Sequence, residues 1–274
     1  MINLMLKHKY LILRRVLQIG VLACFAFGAS LFVQGNLSSS LWFSAVPLSD
    51  PYAVLQLLCA GLAISAGALS GSVLLGALLI LAFYGLFAGR AFCAWVCPVN
   101  LIVDFAAFVR KKLEIQGSTL ILSKNIRYYL LALSLLLSFV LATPAFESIS
   151  YIGIIQRGVI FGTISWLMVA FIIFVVDTFL SPKALCSHLC PLGAFYALAG
   201  HFALLKVKYD SAKCSKCFNC VSICPEKQVL SMIGKQSGRV NSGECIRCGR
   251  CVEVCNDDAL NFSILNLQGE KNDK

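Results

Sequence analysis

The chain reads as two units of different class. Residues 1–205 predict an α-helical integral membrane domain, with four transmembrane helices arranged as a two-helix unit used twice, and residues 206–274 predict a small α+β domain built around cysteines. Three observations carry this. Hydrophobic residues make up 59% of the 274-residue chain and charged ones 13%, and mean hydropathy is +0.82, whereas a soluble domain is about 45–50% apolar and about 25% charged. Basic residues collect in segments that alternate with the apolar runs. The last quarter holds eight cysteines in two copies of one spacing.

The spans come first. A hydrocarbon core needs about 20 apolar residues, and four stretches approach or exceed that: Val16 to Val33, Ala53 to Ala88, Tyr128 to Thr143 and Val159 to Leu180. The second is long enough for two short helices and contains Gly61, Gly67, Gly71 and Gly76, but charge favours a single tilted or kinked helix. Lys7, Lys9, Arg14 and Arg15, then Arg90, Arg110, Lys111, Lys112, Lys124 and Arg127, then Lys183, Lys206, Lys208 and Lys213 all fall on one side if there are four crossings. The positive-inside rule makes that side cytoplasmic, so both termini are expected there, at a bacterial inner membrane. Arg14-Arg15 before an apolar run superficially resembles an export signal, but no small-residue cleavage site follows it, and it reads as the basic flank of an uncleaved helix. The net charge of +10 is juxtamembrane charge, and no nucleic-acid partner is expected.

Two motifs punctuate these spans. Cys93-x3-Cys97-Pro98 follows the second and Cys186-x3-Cys190-Pro191 the fourth, 93 residues apart throughout. The same offset is expected to lay span two on span four and span one on span three. Cysteines four apart share a helix face, and the proline favours a helix boundary there. Three readings compete: the four thiols ligate a metal or a further iron–sulfur cluster, form a redox or docking element, or are ordinary helix-end cysteines. Such a thiolate set suits iron–sulfur or Cu(I) chemistry.

The tail is more specific. Cys214-x2-Cys217-x2-Cys220-x3-Cys224-Pro225 and Cys245-x2-Cys248-x2-Cys251-x3-Cys255 carry the spacing in which three thiolates wrap one [4Fe–4S] cube and the fourth ligates the other. One cluster takes Cys214, Cys217, Cys220 and Cys255, and its twin takes Cys245, Cys248, Cys251 and Cys224. The tail is thus expected to be a bacterial-type two-cluster ferredoxin domain. Paired CxxC zinc sites and disulfide frameworks do not predict a doubled four-cysteine run. The second copy ends in Cys255-Asn256 rather than Cys-Pro, which alters the turn and not the ligand.

For proton handling the expected residues are His188, between two cysteines of the second CxxxCP motif, Asp177 near the end of the fourth span, and Asp104 after the first motif. Glu147, in the short outer loop, is a candidate for proton release on the far side, and a solvated loop acid is the favoured reading. Cys24 and Cys59 have no partner at ligand spacing and read as packing residues.

Four spans, CxxxCP after the second and fourth, and a terminal dicluster domain resemble the NapH family of membrane ferredoxin-type subunits associated with periplasmic nitrate reductase. Relatives of that membrane core include the NosR proteins, whose periplasmic flavin domain has no counterpart segment here, and the CcoG proteins, which carry a further C-terminal domain. The resemblance implies a quinol dehydrogenase subunit: quinol from the membrane pool is oxidised, and electrons pass to a NapG-like ferredoxin or NapC-like cytochrome and on to a periplasmic reductase. The alternatives are a copper-binding and copper-reducing assembly factor of the CcoG type, a NosR-like electron donor, or a redox sensor. No haem-attachment, nucleotide or flavin motif is present.

Overall fold

The computed structural model describes residues 9–27, 33–35, 39–42, 46–61, 71–115 and 123–264. The chain opens with α1 (Lys9–Phe27), followed by an antiparallel meander of β1 (Val33–Gly35), β2 (Ser39–Trp42) and β3 (Val46–Ser49). Asp50 caps α2 (Pro51–Cys59) by accepting from the Tyr52 amide at 3.1 Å, with Pro51 in the first turn where its missing N–H costs nothing. Next come α3 (Gly71–Ala82), a π-helical stretch Phe83–Ala88, a 3-10 turn Gly89–Ala91, α4 (Phe92–Trp95) and α5 (Val99–Lys112). The second half has α6 (Ile126–Leu141), α7 (Ala145–Ile149), α8 (Tyr151–Phe161) and α9 (Ser165–Val175). Two π-helical stretches, Val176–Leu180 and Leu185–Leu189, then lead to α10 (Pro191–Ala199).

Two helical segments are long and apolar enough to cross a membrane: Lys9–Phe27, of 19 residues, and Gly71–Trp95, of 25. At about 1.5 Å per residue they reach roughly 28 and 37 Å against a core of about 30 Å. Their outward faces are apolar, with Val16, Ile19, Leu78 and Phe83 all more than half exposed, a surface that water does not favour. Ile126–Leu141 and Ser165–Leu180 are shorter apolar helices.

The expected spans need correction at three places. The helix Lys9–Phe27 already contains Arg14 and Arg15, and Arg14 is fully buried. The run from Ala53 to Ala88 is not one helix: α2 ends at Gly61, whose φ of +67° is the left-handed conformation that stops a helix, and α3 begins at Gly71. Likewise Val159 to Leu180 is broken where Gly162, also at φ +67°, caps α8 and the chain turns into α9 packed beside it. The 93-residue offset holds for the later half of each unit, since the π-helical stretches begin at Phe83 and Val176. It fails for the first span, because α1 moved by that offset falls on α5 and not on α6.

The tail is a three-stranded antiparallel sheet in the order β5 (Gly238–Arg239), β4 (Leu205–Tyr209), β6 (Leu260–Ile264). Residues Leu205 to Tyr209 pair with Ile264 to Leu260. Two short helices, α11 (Asn219–Ile223) and α12 (Arg250–Glu253), sit against each other, and Val207, Tyr209, Val229, Leu230 and Leu260 fill the core. A separate core, with Tyr52, Val99, Ile155, Ile173 and Tyr196, holds the helices together.

Candidate functional site

Both cysteine loops of the tail bend the same way. Lys216 and Phe218, two and four residues after Cys214, have φ of 59° and 56°; Arg247 and Gly249, two and four after Cys245, have 50° and 77°. Left-handed residues at alternate positions turn successive amides into one hollow, as an anionic group requires. The Lys216 amide points at the Cys214 sulfur at 3.3 Å. Asp257, beyond the second loop, accepts from the Ser215 amide at 2.8 Å and its hydroxyl at 2.6 Å, which ties the two loops together.

The thiols fall into two groups. Cys224 lies within electrostatic reach of Cys245 and Cys248, and Cys251 neighbours all three. Cys220 neighbours Cys214 and Cys255, while Cys217 stands exposed on the same loop. Thus Cys224 of the first run sits beside cysteines of the second, and Cys255 of the second sits beside Cys220 of the first. Burial, then the neighbouring sulfurs, pushes Cys224 up to about 12. These bare thiols resist carrying separate negative charges so close together, and a cationic cluster core that shares their charge relieves that resistance. The residues therefore fit iron–sulfur ligation.

The CxxxCP cysteines also converge. Cys186 is within reach of Cys93, Cys97 and Cys190, and Cys97 of Cys93 and Cys190. They do not share one helix face as the spacing suggested. Cys93 is in α4 but Cys97 lies just past its end, and Cys186 is in a π-helical turn while Cys190 is extended at ψ 108°. Pro98 and Pro191 start the helices that follow. Among the described residues, no three His, Cys, Asp or Glu side chains close around a single ion.

A buried ionic junction joins the two cysteine regions. Glu226, two residues after Cys224, is 1% exposed and receives Arg90 at 2.9 Å, Arg127 at 3.1 Å and Lys124 at 2.6 Å. Burial opposes its ionisation, but Arg90, Lys124 and Arg127 overcome this and hold its carboxyl at about 2. The Arg90 guanidinium donates to the Cys186 carbonyl at 2.9 Å and neighbours the thiols of Cys93 and Cys190 on one side and Cys245 on the other. One side chain therefore lies within electrostatic reach of both cysteine systems.

Backbone contacts reinforce the junction. Arg247, inside the second cysteine loop, donates to the carbonyls of Leu205 at 2.5 Å, Ala88 at 3.1 Å and Gly200 at 3.4 Å, and Trp95 donates to its carbonyl at 3.1 Å. Gly89 is essential to this fit, since its φ is +53° and an added Cβ would lie 1.8 Å from an Arg247 nitrogen. On the opposite side Asp104 receives Arg15 at 2.6 Å and Arg250, with Arg14 at 3.9 Å. Burial raises its carboxyl, but Arg250 and its other cationic neighbours hold it below the usual range. Asp104 thus stands as an anion clamping α1 and α12 to α5.

Asp177 and His188 are the other expected proton groups. Asp177 is 1% exposed and neither carboxylate oxygen has a well-formed hydrogen bond. His188 is half-buried with its Nδ1 lacking a partner, and burial, then Lys124, pushes its pKa down, so the ring is neutral at pH 7. Glu147 is half-buried and lines a cavity together with Asp50. Sequence reasoning passed over Arg90, Glu226 and Arg247 as functional residues. Their partners lie 136 residues away or more in the cases of Arg90–Glu226 and Arg247–Ala88, beyond any local pattern.

A family model described as "4Fe-4S binding domain" matches residues 69–116 and again 163–209, the two segments that carry CxxxCP, and one described as "4Fe-4S dicluster domain" matches 206–256. The "Methylamine utilization ferredoxin-type protein MauN" of Methylobacillus flagellatus is 36% identical over 83% of this chain and 80% of its own length. That of Paracoccus denitrificans is 40% identical over 81% and 78%. The "Ferredoxin-type protein NapH" of Haemophilus influenzae is 37% identical over 81% and 77%. The chain belongs to the NapH/MauN family of ferredoxin-type proteins. It is an iron–sulfur, electron-transport protein of the kind those names describe. No solved structure matches it.

Proposed function

We propose that this NapH/MauN-type chain is the quinol-oxidising electron-transfer subunit of an inner-membrane complex, with four membrane crossings and both termini in the cytoplasm. The short helices Ile126–Leu141 and Ser165–Leu180 supply the third and fourth crossings, with the broken segments α2 and α8 dipping in beside them. In the tail, Cys214, Cys217, Cys220 and Cys255 hold one [4Fe–4S] cluster and Cys245, Cys248, Cys251 and Cys224 the other. Cys93, Cys97, Cys186 and Cys190 hold a further iron–sulfur cluster; the family match over both motifs favours this over a copper-carrying role. Iron–sulfur clusters supply one-electron transfer.

The observation that carries the proposal is the Arg90–Glu226 junction, because it packs the CxxxCP vertex against the second cysteine loop and fixes that contact with buried charge. Lys183, Arg14 and Arg250 face the Cys248 thiol from the other side, and positive charge there favours acceptance of an electron. The acceptor is a second subunit. A NapG-like ferredoxin or NapC-like cytochrome serving a periplasmic nitrate reductase is one assignment. The MauN relatives, at comparable identity, support a methylamine-utilisation system as the other.

The test is anaerobic mixing of the purified chain with a reduced quinol, followed by electron paramagnetic resonance. The proposal expects reduced-cluster signals that vanish in Cys93→Ser and Cys186→Ser. Oxidised clusters that stay silent in the wild-type protein, both in detergent and in membranes, refute it.

A further inference from the structure

A cavity of about 450 Å³ lies among the helices, and none of the cysteines lines it. Its walls are apolar, formed by Val21, Leu79, Ile80, Phe83 and Ile152, and its floor is the CxxxCP region itself, since Phe92 and Val96 flank Cys93 and Cys97 while Leu192 follows Cys190-Pro191. Phe92 stacks on Tyr196 with centroids 5.3 Å apart, and Tyr84 meets Tyr196 edge-on at 5.2 Å. The aromatic floor thus joins the cavity to the residue next to Cys93.

The polar groups are few and converge. Asp50 and Glu147 enter the wall from the segments before α2 and after α6, and the Tyr196 hydroxyl donates to Asp50 at 3.4 Å. Among the described residues no lysine or arginine lines the cavity, and the nearby Arg157 donates to the Gly153 carbonyl at 3.2 Å beside Glu147. Leu79 and Phe83 line it and are also about half exposed on the outer face of the helices, so the cavity meets the apolar surface. An occupant must therefore carry an apolar chain that reaches outward and an uncharged ring with hydroxyl donors that meets the carboxylates.

Resting on the quinol reading above, we infer that this cavity is the binding site for a hydroquinone, its ring lying against Tyr84, Phe92 and Tyr196 and one hydroxyl donating to the Asp50 carboxylate. Apolar walls with a small number of converging polar groups are what such a ligand needs. Burial, then the nearby Glu147 charge, pushes Asp50 up to about 7, which lets its Oδ atoms take up a proton near neutral pH. The proton side of the site is then the Asp50–Glu147 end, and the electron side is the Phe92–Cys93 floor.

Binding can be read without any cluster chemistry. The full-length chain in detergent would be titrated with 2-heptyl-4-hydroxyquinoline N-oxide, a fluorescent hydroquinone mimic, following its quenching. Saturable binding is expected, displaced by a short-chain menaquinone and not by oleate. Ile80→Trp, which fills the cavity, abolishes it, and Asp50→Asn weakens it about tenfold, the loss of one hydrogen bond to a charged acceptor. Unsaturable binding, equal displacement by oleate, or unchanged affinity in both variants overturns the site. If quinol still reduces the clusters of Ile80→Trp at the wild-type rate, the site is wrong and the quinol reading stands. If the wild-type protein binds the probe but quinol reduces nothing, the functional reading fails and the cavity assignment stands.

Discussion

Glu226 and Asp50 are two shielded carboxylates in one chain with opposite electrostatics. Glu226 sits at the junction of tail and helices with Arg90, Arg127 and Lys124 around it, and its carboxyl is held at about 2. Asp50 sits by an apolar cavity with a tyrosine hydroxyl and an amide for company, and burial takes it to about 7. Burial alone would raise both. What separates a permanent clamp from a proton acceptor is whether cations were folded in beside the acid.

The largest break in that comparison is removal of the clamp. Glu226→Ala leaves Arg90 and Arg127, both essentially unexposed, facing a lost partner, at an expected cost of about 3–5 kcal/mol. Thermal unfolding followed by visible absorbance, and faster proteolytic release of the tail, would register it, with Glu226→Gln milder. Gly89→Ala comes next. Its φ of +53° and the Arg247 nitrogen 1.8 Å from the new Cβ predict a loss of about 2 kcal/mol and the same early release of the tail.

Acid titration sharpens the contrast by sign. Glu226 has a folded pKa below its unfolded value of 4.5, so its contribution is complete above about 4.5 and disappears as pH falls towards about 2. Asp50 has a folded pKa above its unfolded value of 3.8, so the folded state keeps a proton that the unfolded chain gives up, and stability falls as pH rises from about 4 to about 7. Each slope is at most about 1.4 kcal/mol per pH unit. Subtracting the unfolding curves of Glu226→Gln and Asp50→Asn from wild type isolates the two windows, and slopes of the same sign would contradict the distinction. The smallest effect is expected for Asp104→Asn. It loosens α1 and α12 from α5 by about 1 kcal/mol, because the isosteric amide still offers an acceptor to Arg250 and the Arg15 pair is partly exposed and screened. Hydrogen exchange at the Tyr10 and Leu11 amides, which donate to Glu253, would report the loosening.

What the sequence made legible follows the range of the interactions. The tail's cysteine spacing encodes a loop a few residues long, and the matched left-handed residues after Cys214 and Cys245 are the local geometry such spacing demands. Composition marked the helices, but hydropathy averages over their breaks. Gly61 and Gly162 were visible as glycines, yet only their backbone angles show that each ends a helix. The offset that relates Cys93 to Cys186 extends to the π-helical stretches at Phe83 and Val176 and stops there, so carrying it to the first span was an overreach. Asp50 precedes a proline, and nothing local signals that Tyr196, 146 residues on, donates to it.

The account depends most on the CxxxCP vertex being a redox site held against the tail. Iron and acid-labile sulfide per chain, measured on anaerobically purified protein with Mössbauer spectra of the iron, tests it directly. About twelve irons are predicted for the wild type and about eight for Cys93→Ser/Cys186→Ser, with the tail clusters intact. About eight in both proteins would contradict it.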